Sequence, residues 1–146
     1  YILKIYTVSM IIGYNFDEIE AKKGKSSEGR IDINSTLKIV SAEEREIEIG
    51  GKKKVVEIGF EFIIEYKPEV ASMIMKGKVI YADGKDIIKT WEKEKKLPEN
   101  VDIEVKNFLF KKCLTIGIEI SEELRLPSPI PFPFIKSKKS EDNYIA

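Results

Sequence analysis

The sequence predicts an α+β domain in which an antiparallel sheet comes first and helices come last. Three observations carry that expectation. Residues 54–66, "KVVEIGFEFIIEY", put Ile58, Phe60, Phe62, Ile64 and Tyr66 on one face and Glu57, Gly59, Glu61, Ile63 and Glu65 on the other, the two-residue period of a half-buried strand. The apolar segments before residue 82 are joined by short connections, which makes consecutive strands antiparallel neighbours. Beyond residue 84 the apolar spacing changes to steps of three and four, the period of a helix.

The opening segment, "YILKIYTVSMIIGYNF", alternates Leu3, Ile5, Thr7, Ser9 and Ile11 with Lys4, Tyr6, Val8, Met10 and Ile12. It predicts a long first strand, apolar on both faces, ending near Gly13. The stretch "EAKKGKSSEGR" reads as a polar loop punctuated by Gly24 and Gly29. Ile31, Ile33, Leu37 and Ile39 in "RIDINSTLKIV" define a second strand. Gly50-Gly51 is placed to close a hairpin between "REIEI" and "KVVEIGFEF". "KPEV" makes a turn into "ASMIMKGKVIYADG", where Ala71, Met73, Met75, Val79 and Tyr81 share a face.

The helical part starts with "GKDIIKTWEKEKKLP", a short helix with Ile87, Ile88 and Trp91 in one stripe and Pro98 as its stop. A long helix follows, with Val101, Val105, Leu109, Cys113, Ile116, Ile120 and Leu124 along one stripe and Ile103, Phe110, Leu114 and Ile118 along a second. Two stripes exceed what one sheet buries. A second cover is therefore expected, either a partner chain or the ribbon "LRLPSPIPFPFIK". There Pro127, Pro129, Pro131 and Pro133 forbid helix and favour an extended path. Residues 1–136 read as one domain and residues 137–146, "SKKSEDNYIA", as a polar tail.

With 25 basic and 25 acidic residues the net charge is zero, and the lysine runs are interleaved with glutamates, so no nucleic-acid partner is expected. No apolar run approaches the ~20 residues that span a bilayer, so no membrane insertion is expected. Cys113 is the only cysteine and cannot form an internal disulfide. With no leader pattern at the start, the expected location is cytoplasmic. Histidine and glutamine are absent and Lys, Glu and Ile abundant, a thermophile-like composition.

The chain offers little for catalysis. Without histidine, Cys113 has no base to activate it, and its place on an apolar stripe reads as a buried structural thiol. Gly50-Gly51 followed by lysines lacks the spacing of a phosphate loop. The carboxylate pairs Glu57/Glu61, Glu61/Glu65 and Glu122/Glu123 fall on solvent faces among lysines. No enzyme activity, cofactor or metal is expected. Met73 and Met75 read as sheet core. Trp91 either packs on the core or lines an apolar groove with Ile87 and Ile88.

Three stretches together resemble a known family: "ILKIYTVSMIIGYNF", "VVEIGFEFIIEYKPEVASMIMKGKVIYADG" and "NFLFKKCLTIGIEISEELRLPSPIPFPFI". Over most of residues 2–135 the chain resembles the SecB-type protein-export chaperones. Leu109-Phe110 stand where that family's helix motif begins. Leu126, Pro127, Pro129, Ile130, Pro131 and Phe132 stand where its Pro-rich apolar segment lies. Lys111 replaces a proline of the family pattern, and the zero net charge differs from the acidic bacterial members. The resemblance implies a four-stranded or slightly larger antiparallel sheet with a short and a long helix on one face, assembled as a dimer of dimers. It also implies an ATP-independent holdase that binds unfolded or translocation-competent polypeptides, with a translocation or toxin–antitoxin partner. The residues expected to face the apolar client groove are Ile87, Ile88, Trp91, Leu126, Ile130, Phe132 and Phe134. The alternative is a dedicated interaction module that holds one folded partner, such as an antitoxin or a complex subunit.

Overall fold

The computed structural model describes residues 10–25, 29–82 and 85–131. Within them the chain forms β1 (Ile11–Lys23), β2 (Asp32–Glu48), β3 (Lys52–Lys67), β4 (Ala71–Tyr81), α1 (Lys85–Glu94) and α2 (Glu99–Glu123). The four strands make one sheet in the order β1-β4-β3-β2, and every neighbouring pair is antiparallel. This is the α+β class expected, with the short and the long helix after the sheet. Among the described residues no helix is long and apolar enough to cross a membrane.

The predicted hairpin forms at Gly50 and Gly51, with φ of 60° and 120°. Glycine reaches that half of backbone space without the Cβ clash other residues meet. Pairing then runs from Glu48 opposite Lys52 to Asp32 opposite Lys67. The separate segments expected at 30–40 and 45–49 are thus one strand, interrupted only by a register shift between Ile39 and Ser41 that leaves Val40 unpaired.

The start of the sheet differs from expectation. The first strand was expected to end near Gly13 with a loop from Glu20, but β1 continues to Lys23. Residues 1–9 lie outside the described residues. β1 is an edge strand bonded to β4 through its backbone, and backbone pairing is indifferent to side-chain polarity. Asp17, Glu18, Glu20 and Lys22 are therefore accommodated, exposed to solvent. The strand is tied off where the Gly24 N–H donates to the Val70 carbonyl at 2.8 Å.

The core lies on one face of the two central strands. Ile58, Phe60, Phe62, Ile64 and Tyr66 of β3 are at most 1% exposed, and Met73, Met75 and Val79 of β4 are fully buried. Both methionines are thus core residues. Register places Phe16, Gly77 and Phe60 side by side across β1, β4 and β3. The missing side chain at Gly77 lets the two phenylalanine rings meet over it, 5.7 Å apart and nearly perpendicular. A Cβ at residue 77 would stand 2.1 Å from the Asn15 carbonyl oxygen and 2.9 Å from the Phe16 Cα.

α2 packs with Val101, Val105, Leu109, Cys113, Gly117 and Ser121 inward, a strict four-residue row. The expected stripe holds as far as Cys113. It then continues through Gly117 and Ser121, leaving Ile116 and Ile120 half-buried. A row of residues four apart is inclined to the helix axis. Small residues at its end let the backbone close on the sheet, and a Cβ at residue 117 would lie 2.7 Å from Ile64 Cδ1. Cys113 is buried and burial pushes its thiol pKa up to about 12, which makes it structural. On the second stripe Phe110 meets Phe62 with ring centres 5.7 Å apart, whereas Ile103 is 53% exposed.

The first part of the Pro-rich ribbon folds back on the end of α2. The Leu126 N–H donates to the Ser121 carbonyl at 2.8 Å, and the Tyr66 hydroxyl donates to the Pro127 carbonyl at 2.7 Å. Pro129 lies against the Gly117 position. Residues 132–136 of the ribbon and the tail 137–146 lie outside the described residues. The short helix ends before Pro98, its expected stop. Lys95 adopts a left-handed conformation (φ 56°) that closes α1, and Pro98 instead caps the start of α2.

On the opposite sheet face Glu57 is the centre of a charge cluster. Its carboxylate meets Arg45 of β2 at 2.5 Å and Lys78 of β4 at 3.3 Å, with its side chain only 12% exposed. The Arg45 hydrogen bond holds its pKa below the ordinary value of 4.5, with Lys78 adding to it against the cost of burial.

Two outcomes follow from this packing. Gly77→Ala forces the β1 backbone off β4 and is expected to cost about 2–3 kcal/mol, read from the urea unfolding midpoint. Because the folded-state pKa of Glu57 is depressed, its contribution is present above the unfolded carboxylate pKa and is lost as pH falls through the folded value. Urea melts between pH 7 and pH 3 (about the useful range) should therefore fall less steeply for Glu57→Gln than for the parent chain.

Candidate functional site

An area mismatch opens the site. Four strands spaced by ~4.8 Å spread the sheet over roughly 14 Å between outer strand axes, whereas a helix with its side chains is about 10 Å wide. α2 lies over β4, meets β3 through Phe110 and Phe62, and reaches β1 through Phe108, whose ring centre is 5.2 Å from that of Tyr14. The inner face of β2 is left to α1, which has only ten residues. Between β2, the end of α1 and the first turns of α2 a groove of about 640 Å³ remains.

Leu37, Ile39 and Trp91, all half-buried, supply the apolar lining over the buried Leu97, whereas Val40, 52% exposed at the register shift, has its side chain near Gly59 on the other sheet face. Lys95, Lys96, Glu99, Asp102 and Lys106 form the rim, and Lys38, between Leu37 and Ile39, alternates to the other sheet face opposite Glu61. Lys106 pairs with Asp102 at 3.1 Å, and Glu99 and Asp102 occupy the first turn of α2, where the helix dipole favours carboxylates. β2 ends the sheet, so among the described residues its outer edge has no strand partner. Unpaired N–H and C=O groups of an edge strand are a template for another extended segment.

The residues expected to face a groove are only partly brought together. Trp91 lines it. Ile88 is half-buried and packs against the core without joining the lining. Ile87 is 2% exposed and faces the other way, towards Met10, Tyr81 and Val101. Leu126 and Ile130 are half-buried at the far end of α2. The helix between Asp102 and Ser121 separates the two ends by roughly 28 Å at 1.5 Å per residue. Phe132 and Phe134 lie outside the described residues. Sequence reasoning missed Leu37, Ile39 and Leu97. The alternation of Leu37 and Ile39 was visible, but not that α2 leaves them only half-covered.

Elsewhere the chemistry is limited. Among the described residues no three His, Cys, Asp or Glu side chains gather where they could hold a metal. A second hollow of about 570 Å³ lies at the β3–β4 turn, between Ile63, Pro68 and Ile74. The groove by β2 combines apolar area, a free strand edge and charged groups at the mouth, which is an arrangement for holding an extended chain.

No protein-family model matches the chain, and no curated protein matches it. Among solved structures it is similar to the SecB-like chaperone Rv1957 of Mycobacterium tuberculosis, in complex with a ChAD peptide from the HigA1 antitoxin. The TM-score is 0.47 and the identity 11%, over 87% of this chain and 90% of that one. This is a distant likeness and says nothing about what the groove binds.

Proposed function

We propose that the protein is an ATP-independent holdase that shelters extended apolar segments of unfolded or translocation-competent polypeptides. One observation carries the reading: Leu37, Ile39 and Trp91 are only half-covered, over a floor that includes Leu97, beside an edge of β2 that has no strand partner among the described residues. A client laid along that edge gains main-chain hydrogen bonds and drops alternate side chains into the groove. Burial contributes roughly 25 cal/mol per Å² of apolar surface, so no nucleotide is needed to drive binding. Lost chain freedom offsets much of that gain, which keeps a single groove weak and promiscuous. Assembly as a homo-oligomer, the dimer of dimers of the resemblance, joins several grooves and raises avidity without new contacts. Clients are then met in the cytoplasm, with a translocation or toxin–antitoxin partner downstream.

The experiment is suppression of aggregation of several unrelated denatured proteins. The parent chain should suppress it at stoichiometric amounts. Trp91→Ala and Leu37→Ser should weaken suppression several-fold while circular dichroism and native mass are unchanged. Undiminished suppression in both variants removes the groove from the mechanism. A parent chain that ignores every unfolded client yet retains one folded partner is instead a dedicated interaction module. Trp91 is the sole tryptophan, so its emission reports on the groove directly. It should move to shorter wavelength, and acrylamide quenching should fall, when a tryptophan-free apolar peptide binds.

A further inference from the structure

We infer that the groove selects segments in which apolar residues are flanked by carboxylates. The inference rests on the groove being the client site and concerns which clients it prefers. Three lysines (Lys95, Lys96 and Lys106) and two acids (Glu99 and Asp102) stand at the mouth of the groove. The acids are already engaged: Asp102 pairs with Lys106, and Glu99 sits in the first turn of α2, against the positive end of the helix dipole. Lys95 and Lys96 have no ion-pair partner among the described residues; Lys38, between the inward Leu37 and Ile39, alternates to the other sheet face opposite Glu61 and adds nothing to the mouth. The mouth is therefore a local excess of ammonium groups on a chain whose total charge is zero.

Lys95 adds a structural argument. It holds a left-handed backbone at φ 56°, a helix-ending position that glycine fills without a Cβ penalty. A lysine there carries strain and places its side chain at the rim, next to Lys96. An extended client along β2 alternates its side chains between the groove and the outside. Its apolar residues would meet Leu37, Ile39 and Trp91, and acidic neighbours would meet the lysines. Cationic neighbours would bring like charges together at a partly desolvated mouth.

The test uses labelled peptides that share a central Phe-Leu-Ile-Leu block flanked on both sides by Asp, by Ser or by Lys, with affinity read by fluorescence anisotropy. At low ionic strength the Asp-flanked peptide should bind about tenfold more tightly than the Lys-flanked one, and the difference should shrink to about twofold at roughly 0.5 M salt. A double variant, Lys95→Gly with Lys96→Ser, should bring the Asp-flanked peptide down to the affinity of the Ser-flanked one. Its melting temperature should be equal or higher, since glycine relieves the backbone at residue 95, so the lost affinity cannot be ascribed to unfolding. Equal binding of all three peptides, or preference for the Lys-flanked one, overturns the inference while leaving the groove as a client site. Binding of none of them overturns the client-site reading itself.

Discussion

One helix on a four-stranded sheet cannot cover it, and the rest of the molecule is arranged around that shortfall. α2 meets β4, β3 and, through Phe108 and Tyr14, β1. It closes on the sheet at Gly117, where the absent side chain leaves room for Ile64. Each of those contacts holds the helix over the central strands and away from β2. Leu37 and Ile39 thereby stay half-buried at the margin of the core instead of within it. α1 brings the half-buried Trp91 beside them, and its connector buries Leu97 beneath, without filling the groove.

The two ends of α2 are treated differently. At its C-terminal end the ribbon returns over the helix, held by the Tyr66 hydroxyl on the Pro127 carbonyl and by the Leu126 N–H on Ser121. Proline stiffness lowers the entropy lost when such a segment is laid down. At its N-terminal end the Tyr81 hydroxyl and the Met10 N–H both donate to Glu104, which fastens the helix to the β4 side of the sheet. The open space lies beside this fastened end, towards β2. A firm support matters for a binding groove, because a lining that collapses consumes the apolar area meant for a guest. The fully buried face of β3 and β4 supplies that support.

The other sheet face is stabilised by charge. Glu57, between Arg45 and Lys78, ties three strands together on the face that also carries Val55, Ile63 and Ile74. The electrostatic character of the groove mouth is of another kind. There Lys106 pairs with Asp102, while Lys95 and Lys96 have no ion-pair partner among the described residues.

Much of the fold was legible in the sequence because it follows from periods that need no partner. Strict alternation at Ile58 to Tyr66 and Ala71 to Tyr81, the Gly50-Gly51 turn and the four-residue row from Val101 to Cys113 each state locally which side is buried. The end of β1 was placed too early because an edge strand bonded on one side tolerates polar residues on both faces, so Asp17, Glu18, Glu20 and Lys22 hide its apolar alternation. Trp91 was recognisable as a candidate by its chemistry, but Ile87, its neighbour on the same stripe, is consumed in the core. The separation of Leu126 from Trp91 depends on the length and direction of α2. Sequence by itself determined which residues are apolar and in what rhythm. Which of them remain open was decided by tertiary structure, because exposure is a property of what lies opposite, and the strand order that put β2 at the edge is set by long-range pairing.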